Sequence, residues 1–528
     1  MRLHIIKKDL QKGVSDEMNK TIKVGVLFLV CFLYTVTVWT LFSPPLTLFH
    51  PALWLWISSI FIILGVGSRL ISNKYFSSYY ASYLCLGIAA VCLLICGIGK
   101  IISLPVFHKE EYIALSTMEN VDIQNYQIGE ADASWMSPAK AQALVRGKLE
   151  SIDPDAELSD GVMQYVNQQP VFVFLTSDKK KDSHTVFMVD MKTAEVSQIE
   201  TESPVLFAET AKGRYKVSKN IRKNFPSTIL GESHLELDDN QNPVWVTYGY
   251  APAVSFMGEK QVKTIFLTDP LTGIISDYPA HEEPAWVDYA QPLELVARHY
   301  NLSAKCSGSA TRLAEDYILL PRGGQLYAFT NIRMNKAQNA GAAFINIKTG
   351  EIRQYEITAV SDNLVQEKIE EWAGMMDLLP PTQPLLTMQE GEPYYVSPLY
   401  DKDGVIRQYI LVDGNDAENY TTGTTWEETL NHWETHVPPN NAVTDAPQGG
   451  EGDAYMLMSG IVESYEQQGD VFAVKLIALK PIYYFDANLI TAEFLEQAKE
   501  SGITFQYPPV YEGKEVVKNC IPAQIMLG

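Results

Sequence analysis

The chain has 528 residues, of which 46% are hydrophobic and 20% are charged, and these values exclude both an extensively disordered chain and a fully membrane-embedded transporter. Residues 1–109 hold 10 Lys or Arg and 3 Asp or Glu, which leaves 31 basic and 60 acidic side chains beyond residue 109. A surface this acidic repels a phosphate backbone, so we exclude nucleic acid as a partner.

Three apolar stretches near the N-terminus predict membrane-spanning helices. They cover residues 21–41, 51–66 and 80–99, and none contains an Asp, Glu or Arg. A span needs about twenty apolar residues, which these stretches approach or reach. Residues 1–20 are polar and no small-x-small site follows the first stretch, so a retained anchor is favoured over a cleaved signal peptide.

The distribution of basic residues predicts the orientation of these spans. Five Lys or Arg residues lie in the leader 1–20, and Arg69 and Lys74 lie in the second connection. The first connection has none. Basic residues stay on the cytoplasmic side, so we predict a cytoplasmic leader, a transmembrane anchor over 21–104 and an extracytoplasmic region over 110–528.

The following region predicts a repeated unit of helix and sheet. Short β-branched and aromatic runs, separated by Gly, Asp and Asn turns, predict three-stranded antiparallel meanders at 170–200, 244–278, 325–358 and 394–420. A predicted helix precedes each meander, at 137–152, 211–225, 292–301 and 364–376. Thr-Gly in the last hairpin of the second and third meanders supplies the positive φ of a tight turn.

We therefore predict an α+β fold with about four such units in residues 110–436. The unit boundaries are expected near 137–205, 209–285, 290–360 and 364–436, the last ending in a helix over 426–436. A polar linker rich in Pro and Gly follows at 437–454. Alternating apolar and polar residues then predict a small β-barrel-like or OB-like domain over 455–528.

The helix-plus-meander unit, with hairpins such as DPLTG and KTGE, resembles the PepSY and cystatin-like class of extracytoplasmic modules. More closely, the motifs NIRKNFPSTILGESHLELDDNQNPVWVTYGY, FLTDPLTGIISDYPAHEEPAWVDYAQPLELV and TGTTWEETL resemble an uncharacterised bacterial multi-span membrane protein family. The resemblance covers residues 137–436. It implies architecture and location in the cell envelope, and no catalytic residue is carried over from it.

One pair of histidines is a candidate metal site. His432 and His436 are four residues apart, and Glu428 precedes His432 by one turn, so all three lie on one face of a helix. The order HWETH differs from the HExxH of zinc proteases, because Glu434 points away from the histidine face. The competing interpretation is a solvated helix surface.

The segment 281–288, with the sequence HEEPAWVD, is the second candidate site. Paired carboxylates divide acid and base roles only where burial separates their pKa values. The competing interpretation, which we favour, is a helix entry with Pro284 in the first turn and Glu282 and Glu283 near the helix N-terminus.

No GxSxG or Gly-rich phosphate loop occurs, so we predict no catalytic residue and no cofactor. Outside the spans only Cys306 and Cys520 remain, and both a disulfide and two free thiols are open. The leading hypothesis is a non-enzymatic, membrane-anchored scaffold or binding protein that contacts an envelope or membrane protein, or a peptide, with a basic face. The alternatives are a membrane-anchored cell-envelope hydrolase or metal-dependent enzyme, and a sensor that signals through the spans.

Overall fold

The fold was obtained as a computed structural model. It describes residues 2–71, 76–123, 126, 128–150, 152, 156–177, 184–211, 213–389, 391–434, 456–469, 471–477, 479, 481–487, 489–501, 503–507 and 516–525. Helix and strand each take up 34% of the chain, so the predicted mixture of helix and sheet is confirmed.

Three long helices open the chain: α1 (Arg2–Phe42), α2 (Pro51–Ile71) and α3 (Phe76–Ile102). Each contains a stretch long and apolar enough to cross a membrane, namely Thr21–Phe42, Pro51–Ile71 and Tyr80–Ile102. Small residues bring the helices close together. A Cβ added to Gly67 would lie 2.2 Å from Cδ1 of Leu27, and Ser82 Oγ donates to the Gly65 carbonyl at 2.7 Å.

The first sheet follows a short entry segment. The entry contains α4 (Lys109–Ile113), β1 (Met118–Asn120) and α5 (Glu130–Ala133), and it leads into α6 (Pro138–Leu149). Ser137 caps α6 by accepting a hydrogen bond from the Lys140 amide. The sheet has the order β2-β4-β5-β6, with β3 on β4, and comprises β2 (Glu157–Leu158), β3 (Val162–Val166), β4 (Gln169–Ser177), β5 (Val186–Asp190) and β6 (Val196–Ile199).

The second and third sheets repeat the order of helix and hairpins. After α7 (Val217–Asn224), the second sheet contains β7 (Ile229–Leu237), β8 (Pro243–Pro252), β9 (Lys260–Thr268) and β10 (Ile275–Pro279). After α8 (Leu293–Ser307), the third contains β11 (Arg312–Leu313), β12 (Ile318–Arg322), β13 (Gln325–Arg333), β14 (Gln338–Asn346) and β15 (Ile352–Val360). β1 joins the third sheet in parallel beside β15.

The fourth sheet follows α9 (Asp362–Met376). It contains β16 (Leu385–Gln389), β17 (Glu392–Tyr400), β18 (Ile406–Asp413) and β19 (Tyr420–Gly423), and α10 (Trp426–Glu434) comes after it. Each sheet thus has at least one strand before the predicted meander, and the fourth also has β19 after its GNDAE turn. The description of these sheets as repeats of one unit stays a prediction.

The same turn closes the last hairpin of the first three sheets. Asp190, Asp269 and Asn346 each accept hydrogen bonds from the backbone amides two and three residues later, at 2.8–3.4 Å. The residue directly after the second of these amides has a positive φ, at Ala194 (59°), Gly273 (74°) and Gly350 (74°). The predicted positive φ of the Thr-Gly hairpins is therefore present.

The hydrophobic core is continuous across neighbouring sheets. One buried cluster joins the first sheet to the second, through residues such as Val173 and Leu235. Another joins the first sheet to the third, through Phe187 and Ala328 among others. A third cluster runs from the third sheet through the fourth to the C-terminal strands. The sheets therefore stabilise one another by burying shared apolar surface.

The C-terminal strands form a six-stranded sheet with the order β20-β24-β25-β23-β22-β21. Its elements are β20 (Met456–Gly460), β21 (Val462–Gln468), β22 (Val471–Leu476), β23 (Ile482–Asp486), α11 (Ala492–Ser501), β24 (Ile503–Tyr507) and β25 (Val516–Ile525). β20 and β21 are the two edge strands of this sheet, and they do not pair with each other. The described strands therefore do not form a closed barrel. The predicted linker 437–454 lies outside the described residues.

Candidate functional site

Of the predicted metal ligands, Glu428 lies in the first turn of α10 and His432 in its last turn. The Glu428 carboxylate turns back and accepts hydrogen bonds from the backbone amide and the hydroxyl of Thr424, at 2.5 and 2.6 Å. This is the contact of a helix-capping side chain. Glu428 Oε1 lies 4.0 Å from His432 Nε2. His436 lies outside the described residues, so the three-residue metal site stays a prediction.

His432 has a structural contact of its own. Its Nδ1 lies 2.8 Å from the carbonyl oxygen of Thr422, which can only accept, so Nδ1 carries the proton. The Asp413 amide bonds to the Asn419 carbonyl, and from that register Thr422 directs its carbonyl away from β18, toward the open edge of β19. His432 therefore covers a backbone acceptor at the edge of the fourth sheet.

The segment 281–288 is not the start of a helix. The helix that follows begins at Leu293, with Pro292 as its N-cap, and residues 284–291 are irregular. The reason is an alternative set of hydrogen bonds. The backbone amides of Asp288 and Tyr289 donate to the two carboxylate oxygens of Glu236, at 2.8 and 3.2 Å, instead of entering a helix. The predicted helix entry at Pro284 is wrong.

His281 and Asp288, at the two ends of that segment, lie in different environments. His281 is exposed, has a φ of 70°, and lines a cleft of about 370 Å³ together with buried His299. Asp288 is 9% exposed and accepts a hydrogen bond from the Tyr165 amide on β3 at 2.6 Å. His281 and Asp288 therefore do not belong to one site.

Asp288 belongs instead to a buried cluster between the first and second sheets. We call Gln164, His234, Glu236 and Asp288 the junction cluster. Glu236 is fully buried, and its Oε1 lies 2.8 Å from His234 Nε2. Burial raises the pKa of Asp288 to about 7, and the negative charge of Glu236 adds to the rise.

The junction cluster was missed from the sequence. His234 and Glu236 alternate with Leu235 and Leu237 on β7, which is the pattern of a strand with one solvated face. Here the polar face is covered by β3 and by residues 284–291. Glu236 has both carboxylate oxygens bonded to the protein, so its geometry is that of a structural junction.

A second set of contacts fixes the second sheet to the spans. Lys100 Nζ at the end of α3 donates to the Met257 carbonyl at 3.0 Å, and the Met257 amide donates to Ser103 Oγ at 3.1 Å. On the other side, the Leu46 amide in the first connection donates to the Pro226 carbonyl at 2.8 Å. The first connection and the sheets therefore lie on the same side of the three helices.

β10 presents an open edge of the second sheet. The Asp269 amide bonds to the Ile274 carbonyl, and the Ala280 amide bonds to the Lys263 carbonyl. Because hydrogen-bonded pairs alternate in an antiparallel ladder, Ile275 and Asp277 direct their N–H and C=O groups away from β9. Within the described part of the chain, no other strand pairs with this edge.

No protein-family model and no curated protein matches this chain. Among solved structures, it is similar to the Bacillus megaterium YpeB C-terminal domain, at 13% identity and a TM-score of 0.11, over 43% of this chain and 98% of that one. It is also similar to an alpha-L-arabinofuranosidase from Lactobacillus brevis, at 10% identity and a TM-score of 0.17, over 77% and 98% of the two chains. A prolyl endopeptidase matches at 11% identity and a TM-score of 0.19, over 80% of this chain and 54% of that one. Likenesses of this size assign no activity to the chain.

Proposed function

We propose that the protein is a membrane-anchored scaffold or binding protein, not an enzyme, and that it pairs the open edge of β10 with an extended segment of an envelope protein or peptide. The observation that carries this proposal is the free backbone of Ile275 and Asp277. An unpaired edge strand offers main-chain hydrogen bonds to an added strand.

Three other sheet edges support the choice of β10, because side chains bond their open backbone groups. Gln164 holds Leu237 on β7, Lys148 Nζ donates to the Val196 carbonyl on β6, and His432 bonds the Thr422 carbonyl on β19. Such contacts block strand addition at those positions.

The surroundings of β10 favour a basic partner. Asp277 lies in the strand, and Glu282 and Glu283 follow in the next turn. Ile274, with 66% of its surface exposed, begins the edge and offers an apolar contact. A partner strand with Lys or Arg beside an apolar residue complements this edge, and the acidic excess beyond residue 109 steers it there.

The test is site-specific photocrosslinking in intact membranes, with the crosslinking residue in place of Ile274. We expect one recurrent adduct that weakens as salt is raised. Asp277→Pro removes an N–H at the open edge and leaves the ladder to β9 unchanged, so it should abolish the adduct. Asp277→Ala, which keeps the N–H, is the matched control.

Two outcomes would contradict the proposal. An adduct that is equally strong in D277P and D277A would exclude strand addition at β10. If no adduct forms and the full-length protein in detergent turns over a peptide, glycan or ester substrate, the scaffold proposal is wrong and the hydrolase alternative takes its place.

A further inference from the structure

A cleft of about 490 Å³ lies where the second sheet meets the outer ends of the spans. Its walls come from the connection between α1 and α2, from the end of α3, from the hairpin between β8 and β9, and from α8. Phe49 and Phe256 meet edge to face across it, with ring centroids 5.6 Å apart. The cleft therefore opens at the level where a membrane surface meets the folded domain.

The charged residues that line this cleft are mostly basic. They are Lys100, Lys260, Arg298 and Glu259, which gives a net charge of +2. The chain beyond residue 109 has a net charge of −29, so a cationic cleft runs against the general charge of this region. Positive charge concentrated in a cleft attracts anions.

The contacts of these cations hold them in place. Lys100 uses one N–H on the Met257 carbonyl, and the Lys260 ammonium lies 3.8 Å from the centre of the Tyr250 ring. Arg298 binds both oxygens of Glu259 through Nε and one terminal nitrogen, at 2.8 and 2.7 Å, which neutralises the one carboxylate in the lining. The excess charge thus belongs to the two lysines.

His50, which directly precedes α2, also lines the cleft, and the charges around it are positive. Burial lowers its pKa, and the positive charges of Lys100, Arg222 and Lys260 lower it further. Its Nδ1 accepts the Ala52 amide at 3.1 Å. The charges with the largest effect on this imidazole are therefore all positive, which favours an anion in the cleft.

The apolar half of the lining selects between kinds of anion. Phe49, Leu104 and Pro105 line the cleft on the side of the helices, and Val106 and Phe107 next to it are 77% and 62% exposed. A free phosphate makes no use of such a surface, whereas a membrane lipid places its phosphate at the headgroup level and its glycerol and acyl carbons beside apolar side chains.

We propose that this cleft binds the phosphate of an anionic lipid in the outer leaflet, with Lys100 and Lys260 as the binding residues. The bound lipid bridges α3 and β9, so it adds a contact between the spans and the second sheet.

The test is native mass spectrometry of the full-length protein released from nanodiscs. One set of nanodiscs contains phosphatidylcholine alone, and the other contains equal parts of phosphatidylcholine and phosphatidylglycerol. We expect one retained phosphatidylglycerol per chain in the mixed set. Lys100→Gln together with Lys260→Gln should weaken retention about tenfold or more. Lys263→Gln, an exposed lysine on the same strand outside the cleft, is the matched control.

Two results would overturn the proposal. Equal retention of the two lipids by the unmodified protein excludes a preference for the anionic headgroup, whatever the variants do. Inorganic phosphate can also be added to the protein in phosphatidylcholine nanodiscs. If it stabilises the protein as much as phosphatidylglycerol does, the cleft binds a free anion instead of a lipid.

Discussion

Gln164 on β3 uses both ends of its side-chain amide to hold the backbone of Leu237 on β7. Its Nε2 donates to the Leu237 carbonyl at 3.0 Å, and its Oε1 accepts the Leu237 amide at 2.8 Å. Both residues are fully buried. Leu237 pairs with Pro243 in β8, and the Asp238 amide bonds to the Asn242 carbonyl, so the register directs the backbone groups of Leu237 away from β8. Gln164 thus takes the place of a neighbouring strand.

We expect Gln164→Met to lower the free energy of unfolding by about 2–4 kcal/mol, because it leaves a buried amide and a buried carbonyl without partners. The shape of the side chain is nearly kept, so a cavity does not explain the loss. Denaturant unfolding of the full-length protein in detergent measures it. Gln198→Met, at an exposed position on β6, should change the midpoint little, and equal effects of the two substitutions would show that the junction contributes nothing specific.

The pH dependence of stability should report on Asp288. Its pKa is raised to about 7 in the folded protein, above the ordinary value of about 4 in the unfolded chain. Between pH 4 and pH 7 the folded state therefore binds more protons than the unfolded state. The favourable contribution of protonated Asp288 to the free energy of unfolding is fully present below pH 4 and is lost as the pH rises through 7. Above pH 7 the penalty for the buried charge is complete.

We expect Asp288→Asn to flatten this dependence and to stabilise the protein by roughly 2 kcal/mol at pH 8, since an amide oxygen still accepts the Tyr165 amide. Asp239→Asn, at an exposed position in the turn after β7, is the control. Unfolding midpoints measured from pH 4 to pH 8 decide the matter. If the unfolding midpoint of the D288N protein depends on pH in the same way as that of the unmodified protein, Asp288 does not cause the pH dependence.

The sequence was a good guide to elements whose burial follows a regular period. The three spans and most strands were predicted because apolar runs and alternation report directly on burial. The first strands of the sheets were missed. β7, for example, contains Gly231 and a polar series from Glu232 to Glu236, which lowers the apparent preference for a strand.

The junction cluster shows a different limit of sequence reasoning. Glu236 and Asp288 lie 52 residues apart and come together because residues 284–291 pack back onto the second sheet, where Val287 and Ala290 share a buried cluster with Val246. Asp288 was singled out with its neighbours in sequence, while its actual partners were absent from the segment. The end of α8 was also misjudged, because the helix continues to Ser307 and ends where Gly308 adopts a φ of 88°.

The side of the membrane on which the sheets lie stays a prediction and is directly testable. A reporter that is active only outside the cytoplasm should work when fused after residue 109 or at the C-terminus, and should fail within residues 69–79. The contact between Leu46 and Pro226 adds an expectation, because it places the first connection with the sheets. A reporter inserted within residues 43–50 should therefore be active. Activity within 69–79 would reverse the orientation.

The histidine pair provides the last prediction. Thr422 engages His432 Nδ1 and Thr424 engages Glu428, so a metal at this helix must compete with both hydrogen bonds. We expect elemental analysis to find less than stoichiometric zinc in the purified protein. His432→Ala should instead expose the edge of β19 and increase hydrogen exchange at β18 and β19 without any change in metal content. His432→Asn keeps a donor near the Thr422 carbonyl and should restore part of the protection. One zinc per chain that is lost in both His432→Ala and His436→Ala would favour the metal-dependent enzyme instead.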